Sequence, residues 1–165
     1  SGVVASDVSG VGTARAYLAA CSYSADKDKA IFAYGLDGSM LNMSNLVNNS
    51  GVVGADVTGV GTARRKLGAC EYGGDKGIFG YGSGLSSVTN LVSNVGVIGT
   101  DVSGVGTARE ELAACDYGLD KGIFGYGNTG SDVSMTNLVS NVGVVAADVT
   151  GVGTARAQLA GTQFN

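Results

Sequence analysis

The chain contains no proline, no tryptophan and no histidine, and only 15% of its 165 residues are charged. Without histidine, the side chain best suited to general-base work and metal binding near neutral pH is missing. Scarce charge combined with 44% hydrophobic residues excludes a disordered chain. Ten basic residues against fourteen acidic ones give a net charge of −4, and no basic cluster is longer than Arg64, Arg65 and Lys66. That balance argues against a nucleic-acid partner and against an anionic membrane surface. No apolar run approaches the roughly 18 residues a membrane-spanning helix needs. Ser1 to Val8, SGVVASDV, holds neither the basic nor the apolar segment of a signal sequence.

What the chain does have is repetition. The hexapeptide GVGTAR ends at Arg15, Arg64, Arg109 and Arg156, at spacings of 49, 45 and 47 residues. Between these hexapeptides the order is fixed: a small-residue run to a cysteine, a Tyr turn, DKGIFGYG or its variant, a loop, then NLVSN and GVV..DV. The chain is one array, 1–165, with units at about 1–49, 50–94, 95–141 and a partial unit 142–165. Ser1 to Arg15 repeats the wording of Ser50 to Arg64, as expected of a fragment or a processed product.

The 29 glycines suit tightly packed β-structure with many turns. Within a unit, Thr107 to Cys115 has helix-favouring residues, but it is short and flanked by glycine, so it is read as a strand. Lys121 to Gly127 alternates, with Ile123 and Gly125 on one face and Phe124 and Tyr126 on the other. Stacked units then seat a Phe/Tyr face on a glycine face, each buried ring contributing ~1.5–3 kcal/mol. Ser134 to Asn141 and Gly143 to Val149 complete four strands. Four strands in about 47 residues predict an all-β fold, a β-propeller of four-stranded blades.

This wording resembles a kelch repeat. Arg15, Arg64, Arg109 and Arg156 match the kelch arginine, and Phe79 to Gly82 stand where the double glycine closes the second strand. The glycines are here separated by Tyr81, and no tryptophan precedes the outer strand. WD-like propeller repeats stay open, because propeller unit lengths flank this one. The Gly-rich style is similar to repeats of phage and marine metagenomic proteins, which implies a structural or adhesive role and an extracellular or virion-associated location.

Cys21, Cys70 and Cys115 each follow the repeat arginine by six residues, and Thr162 replaces the fourth. Such a set reads as small buried groups rather than a disulfide framework. Asp7, Asp56, Asp101 and Asp148 precede the arginines by eight residues. One carboxylate per unit is too few for a Ca²⁺ site, so the aspartates are expected to accept backbone N–H groups or to meet the arginines. A catalytic site needs different groups converging once, whereas nearly every polar residue here is one of several equivalents. GVGTAR lacks the lysine and long helix of a phosphate loop. No catalytic residue, metal or cofactor is expected.

A non-enzymatic structural or adhesive module is therefore expected, self-associating as a dimer or head-to-tail assembly through incomplete terminal blades. Phe164 is read as a plug at the seam. The alternative is a multivalent carbohydrate-binding lectin, with Tyr23, Tyr72 and Tyr117 beside Asn45, Asn90 and Asn137 as shallow glycan sites. The loops Leu36–Ser44, Ser83–Thr89 and Asn128–Thr136 differ in length and sequence, which marks their edge as the contact surface.

Overall fold

The computed structural model describes residues 6–162, and among them there is no helix. Alternating short side chains and β-branched residues between glycine turns give nine strands. These are β1 (Ala19–Tyr23), β2 (Lys29–Leu36), β3 (Met40–Val47), β4 (Gly68–Tyr72), β5 (Lys76–Gly80), β6 (Thr89–Val92), β7 (Ala113–Tyr117), β8 (Lys121–Gly125) and β9 (Thr136–Val139). They make three antiparallel three-stranded sheets, one per unit, in the orders β1-β2-β3, β4-β5-β6 and β7-β8-β9. The all-β expectation holds.

Register sorts the side chains identically in each sheet. Cys70 pairs with Ile78 and Ile78 with Leu91, which defines a forward face; Phe79 pairs with Asn90 and Gly77 with Val92 on the backward face. The forward face of each sheet packs on the backward face of the next. Cys21, Ile31 and Ala33 thus share a core with Phe79 and Val92, and Cys70 and Ile78 share one with Phe124 and Val139. This stacking explains why the second residue of β5 and of β8 is glycine. A Cβ built on Gly77 would lie 2.5 Å from Cys21 Sγ, and one on Gly122 would lie 2.5 Å from Cys70 Sγ. Among the described residues no sheet stands before that of the first unit, and there the position is Ala30.

Three expectations are corrected. Phe and Tyr do not share a face: Tyr34, Tyr81 and Tyr126 have φ of 66°, 65° and 62°, and this left-handed step turns each ring forward. Tyr34 therefore meets Phe79 edge-on at 5.4 Å, and Tyr81 meets Phe124 at 5.1 Å. Secondly, the strand expected over Thr107–Cys115 starts only at Ala113, because Glu111 is left-handed, with φ of 57°, and interrupts the extended run. Thirdly, the expected fourth strand is an irregular edge segment fixed at two bridges per unit: Val47 with Val53 and Ser44 with Val57, Val92 with Ile98 and Thr89 with Val102, Val139 with Val145 and Thr136 with Val149. No closed barrel or ring forms among the described residues. The proposed Phe164 plug lies outside them.

Candidate functional site

Two of the four repeat arginines, Arg64 and Arg109, are the largest fully buried side chains among the described residues. Arg64 and Arg109 are 1% and 0% exposed, a costly position for a guanidinium unless its donors are met; Arg109 Nε and Nη1 reach the Tyr126 and Thr107 carbonyls, whereas its Nη2 and Asn137 Oδ1 make no hydrogen bond among the described residues. Arg64 Nε donates to the Tyr81 carbonyl at 2.9 Å, Nη1 to the Thr62 carbonyl at 3.1 Å and Nη2 to Asn90 Oδ1 at 2.7 Å. Its plane lies 4.3 Å from the ring centre of Tyr34, in the preceding unit. Arg109 repeats this over Tyr81 at 4.3 Å and Arg156 over Tyr126 at 4.2 Å. Gly35, Gly82 and Gly127 donate their N–H groups to the carbonyls of Arg64, Arg109 and Arg156. The left-handed tyrosine, which costs about 1 kcal/mol or more, is thereby held from both sides. Burial pulls the Arg64 pKa down, with Tyr34 and Asp101 opposing.

The aspartates form the second half of the clasp. Asp101 accepts from the Thr62 N–H, the Thr62 hydroxyl at 2.6 Å and Asn90 Nδ2 at 2.9 Å. Asp56 does the same with Thr13 and Asn45, and Asp148 with Thr107 and Asn137. Burial raises the pKa of Asp101 and Asp148, but the threonine and asparagine bonds and the arginine charge outweigh it and leave both below the ordinary carboxylate range. Asp56 is lowered first by Asn45 and then by Thr13. Asp7 makes no such contact among the described residues.

Glycan sites of the expected kind are not assembled. Tyr23 pairs with Lys29 and Asn45 with Phe32, three residues along β2, so the two lie on opposite faces of one sheet. Tyr72 and Asn90 are separated in the same way, as are Tyr117 and Asn137. Tyr23 and Tyr72 are 4% exposed, packed toward the turns at Gly96 and Gly143, while Asn45, Asn90 and Asn137 are buried in the clasp. The cysteines are free thiols beside one another along β1, β4 and β7. Next to them Ser22 Oγ donates to Glu71 Oε2 at 2.6 Å, and Lys27 Nζ is 3.4 Å from Glu71 Oε1. Among the described residues no three His, Cys, Asp or Glu side chains are grouped as metal ligands.

No family model matches the chain. No curated protein matches it either.

One constellation was not singled out from the sequence. After each TAR, the next two residues form a different pair in each unit: Ala16-Tyr17, Arg65-Lys66, Glu110-Glu111 and Ala157-Gln158. Tyr17, Lys66, Glu111 and Gln158 are all left-handed, with φ of 56°, 57°, 57° and 57°. Their backbones form a ladder across the units, Lys66 N–H to Tyr17 O, Glu111 N–H to Lys66 O and Gln158 N–H to Glu111 O, each 2.9 Å. They rim an open groove of about 440 Å³ floored by Leu67, Leu112 and Leu159. Lys66 Nζ reaches Glu111 at 2.6 Å and Glu110 at 3.1 Å, and these contacts raise its pKa. Arg65 lies 5.6 Å over Tyr17. Backbone bonds tie the same dipeptides to the variable loops, Ala16 with Leu36, Arg65 with Ser83 and Glu110 with Asn128. The signal in the sequence was this loss of repetition between two invariant neighbours, TAR and Leu.

Proposed function

We propose that this chain is a non-enzymatic structural or adhesive module, self-associating, built as a kelch-like propeller segment and meeting its partners through the variable rim. The observation that carries the reading is where the repetition fails. Buried polar groups recur from unit to unit in clasps that hold sheet to sheet, while the differing dipeptides and loops share one edge. A left-handed non-glycine residue costs about 1–3 kcal/mol, and glycine would sit at these four positions with less strain. Retaining Tyr17, Lys66, Glu111 and Gln158 there favours a role for what they present to solvent. The propeller reading draws on the side-by-side placement of β1, β4 and β7 and on the bridged edge segments as fourth strands.

A second reading, glycan recognition, is favoured by Tyr17. Its ring is 56% exposed beside the polar groove, the arrangement on which a sugar ring stacks. A glycan array with the wild-type chain and with Tyr17→Ala separates the two. Silence across the array, with multimers in solution, supports the structural module. Selective binding lost in Tyr17→Ala supports the lectin and overturns the first reading.

A further inference from the structure

The forward face of the third sheet carries an opening of about 290 Å³ whose lining includes Ala113, Gly125, Tyr126, Arg156 and Leu159. Each of these positions has an internal equivalent. In the second interface Gly68, Gly80 and Tyr81 close directly on the ring of Phe124, with Arg109 stacked on Tyr81 and Leu112 in the same core. In the first, Ala19, Ala33, Tyr34, Arg64 and Leu67 stand in the same relation to Phe79. The opening is therefore a phenylalanine seat that the described residues of this chain leave unfilled.

At the other end of the stack is a ring without such a seat among the described residues. Phe32 lies opposite Asn45 in the register that Phe79 and Phe124 share opposite Asn90 and Asn137. Those two are fully buried, whereas Phe32 is 37% exposed on the backward face of the first sheet. We infer that the opening around Gly125 and Tyr126 is the docking site for Phe32 of a second copy of this chain. The inference rests on the self-associating part of the proposed function and specifies its contact: head to tail, with the internal interfaces as its template.

Seating a second copy by that template requires exchange of two segments. The incoming Leu18 and β1 take the places of Leu159 and of residues 160–162, which form no strand; the displaced segment gives up the bond from Gln158 N–H to Glu111 O, the side-chain bond of Gln158 with Glu111 and the packing of Gly161 against Ala114. Residues 6–15 of the incoming copy, SDVSGVGTAR, give way to residues 147–156, ADVTGVGTAR. Segments so alike make nearly the same contacts, so the exchange is close to neutral. Its net gain is the covering of Phe32, Ile123 and Leu138.

The test uses sedimentation of Phe32→Ala, Gly125→Leu and their equimolar mixture, with a melt of each to verify folding. Phe32 is partly exposed, and a Cβ on Gly125 meets only Thr136 Cγ2 at 3.4 Å, so both chains are expected to fold. The wild type is expected above its monomer mass, and each variant alone at the 16.3 kDa monomer. The mixture is expected to give a 1:1 pair that grows no further, because one intact seat meets one intact ring. A wild type that is monomeric overturns both the inference and the self-association, Phe164 of the same chain being then a candidate to fill the seat. A wild type that associates while either variant still does so, or a mixture that stays monomeric, overturns this contact and leaves self-association standing.

Discussion

The guanidinium of Arg64 lies 4.3 Å from the ring centre of Tyr34, thirty positions earlier in the chain and in the sheet of the preceding unit. At the same time its Nε holds the Tyr81 carbonyl of its own unit. One side chain thus fixes both the exit of its own aromatic strand and the seating of its unit on the one before.

Lysine does not replace it. Arg64→Lys keeps the charge but loses the planar fork that meets three acceptors and stacks on Tyr34. We expect a loss of about 2–4 kcal/mol, read as a lower melting temperature. At exposed Arg156 the same substitution is expected to cost less than about 1 kcal/mol. Equal losses at the two positions would contradict the clasp.

Gly80 is a packing glycine, and Gly125 in this chain is not. A Cβ on Gly80 would stand 2.7 Å from Phe124 Cζ, so Gly80→Val is expected to cost about 1–3 kcal/mol in a thermal or denaturant melt. Gly80→Ala is expected to cost less, since Ala33 occupies the equivalent place against Phe79 with the rings at 5.4 Å instead of 5.1 Å. Gly125→Val should stay within about 0.5 kcal/mol for the single chain. A Gly80→Val protein that melts like wild type would remove the case for this contact.

Acid should loosen the clasps. Asp56, Asp101 and Asp148 have folded pKa values below the ordinary range, so their contribution is complete above the unfolded value of about 3.9. It is lost as pH falls through the lower folded values. The melting temperature is expected to be flat from pH 7 to about pH 5 and to drop below about pH 4. Asp101→Asn should lower the plateau and flatten the acid slope; an unchanged slope would show that these carboxylates do not drive it.

The thiols should be slow nucleophiles. Burial, with the Glu71 charge adding to it, pushes Cys21 up to about 12, and burial beside the Cys21 thiol takes Cys70 well above its usual value. Cys115 is raised by burial and Asp116 but is less enclosed. Iodoacetamide at about pH 8, followed by mass spectrometry on the Phe32→Ala chain, is expected to alkylate Cys115 first and the other two only on unfolding. Fast native labelling of Cys70 would be incompatible with the stacked sheets.

The sequence by itself determined the array, its unit length, the aromatic strand and the two-faced alternation, because spacing and period-2 patterning are properties of the chain alone. It also marked the aspartates and arginines as structural equivalents. It did not determine which neighbour each side chain serves. Alternation says that Phe79 and Ile78 point opposite ways, but only stacking decides that Phe79 meets Tyr34 behind it. The left-handed turn at Tyr81 reverses the face that alternation predicts, and it persists because Arg64 and Gly82, tied to Arg109, hold it there. Tyr23 and Asn45 read as a shared polar site until register put them on opposite faces. The variable dipeptides were visible as letters, yet their gathering on one rim depends on backbone bonds between units more than forty residues apart, contacts that exist only once the sheets are stacked.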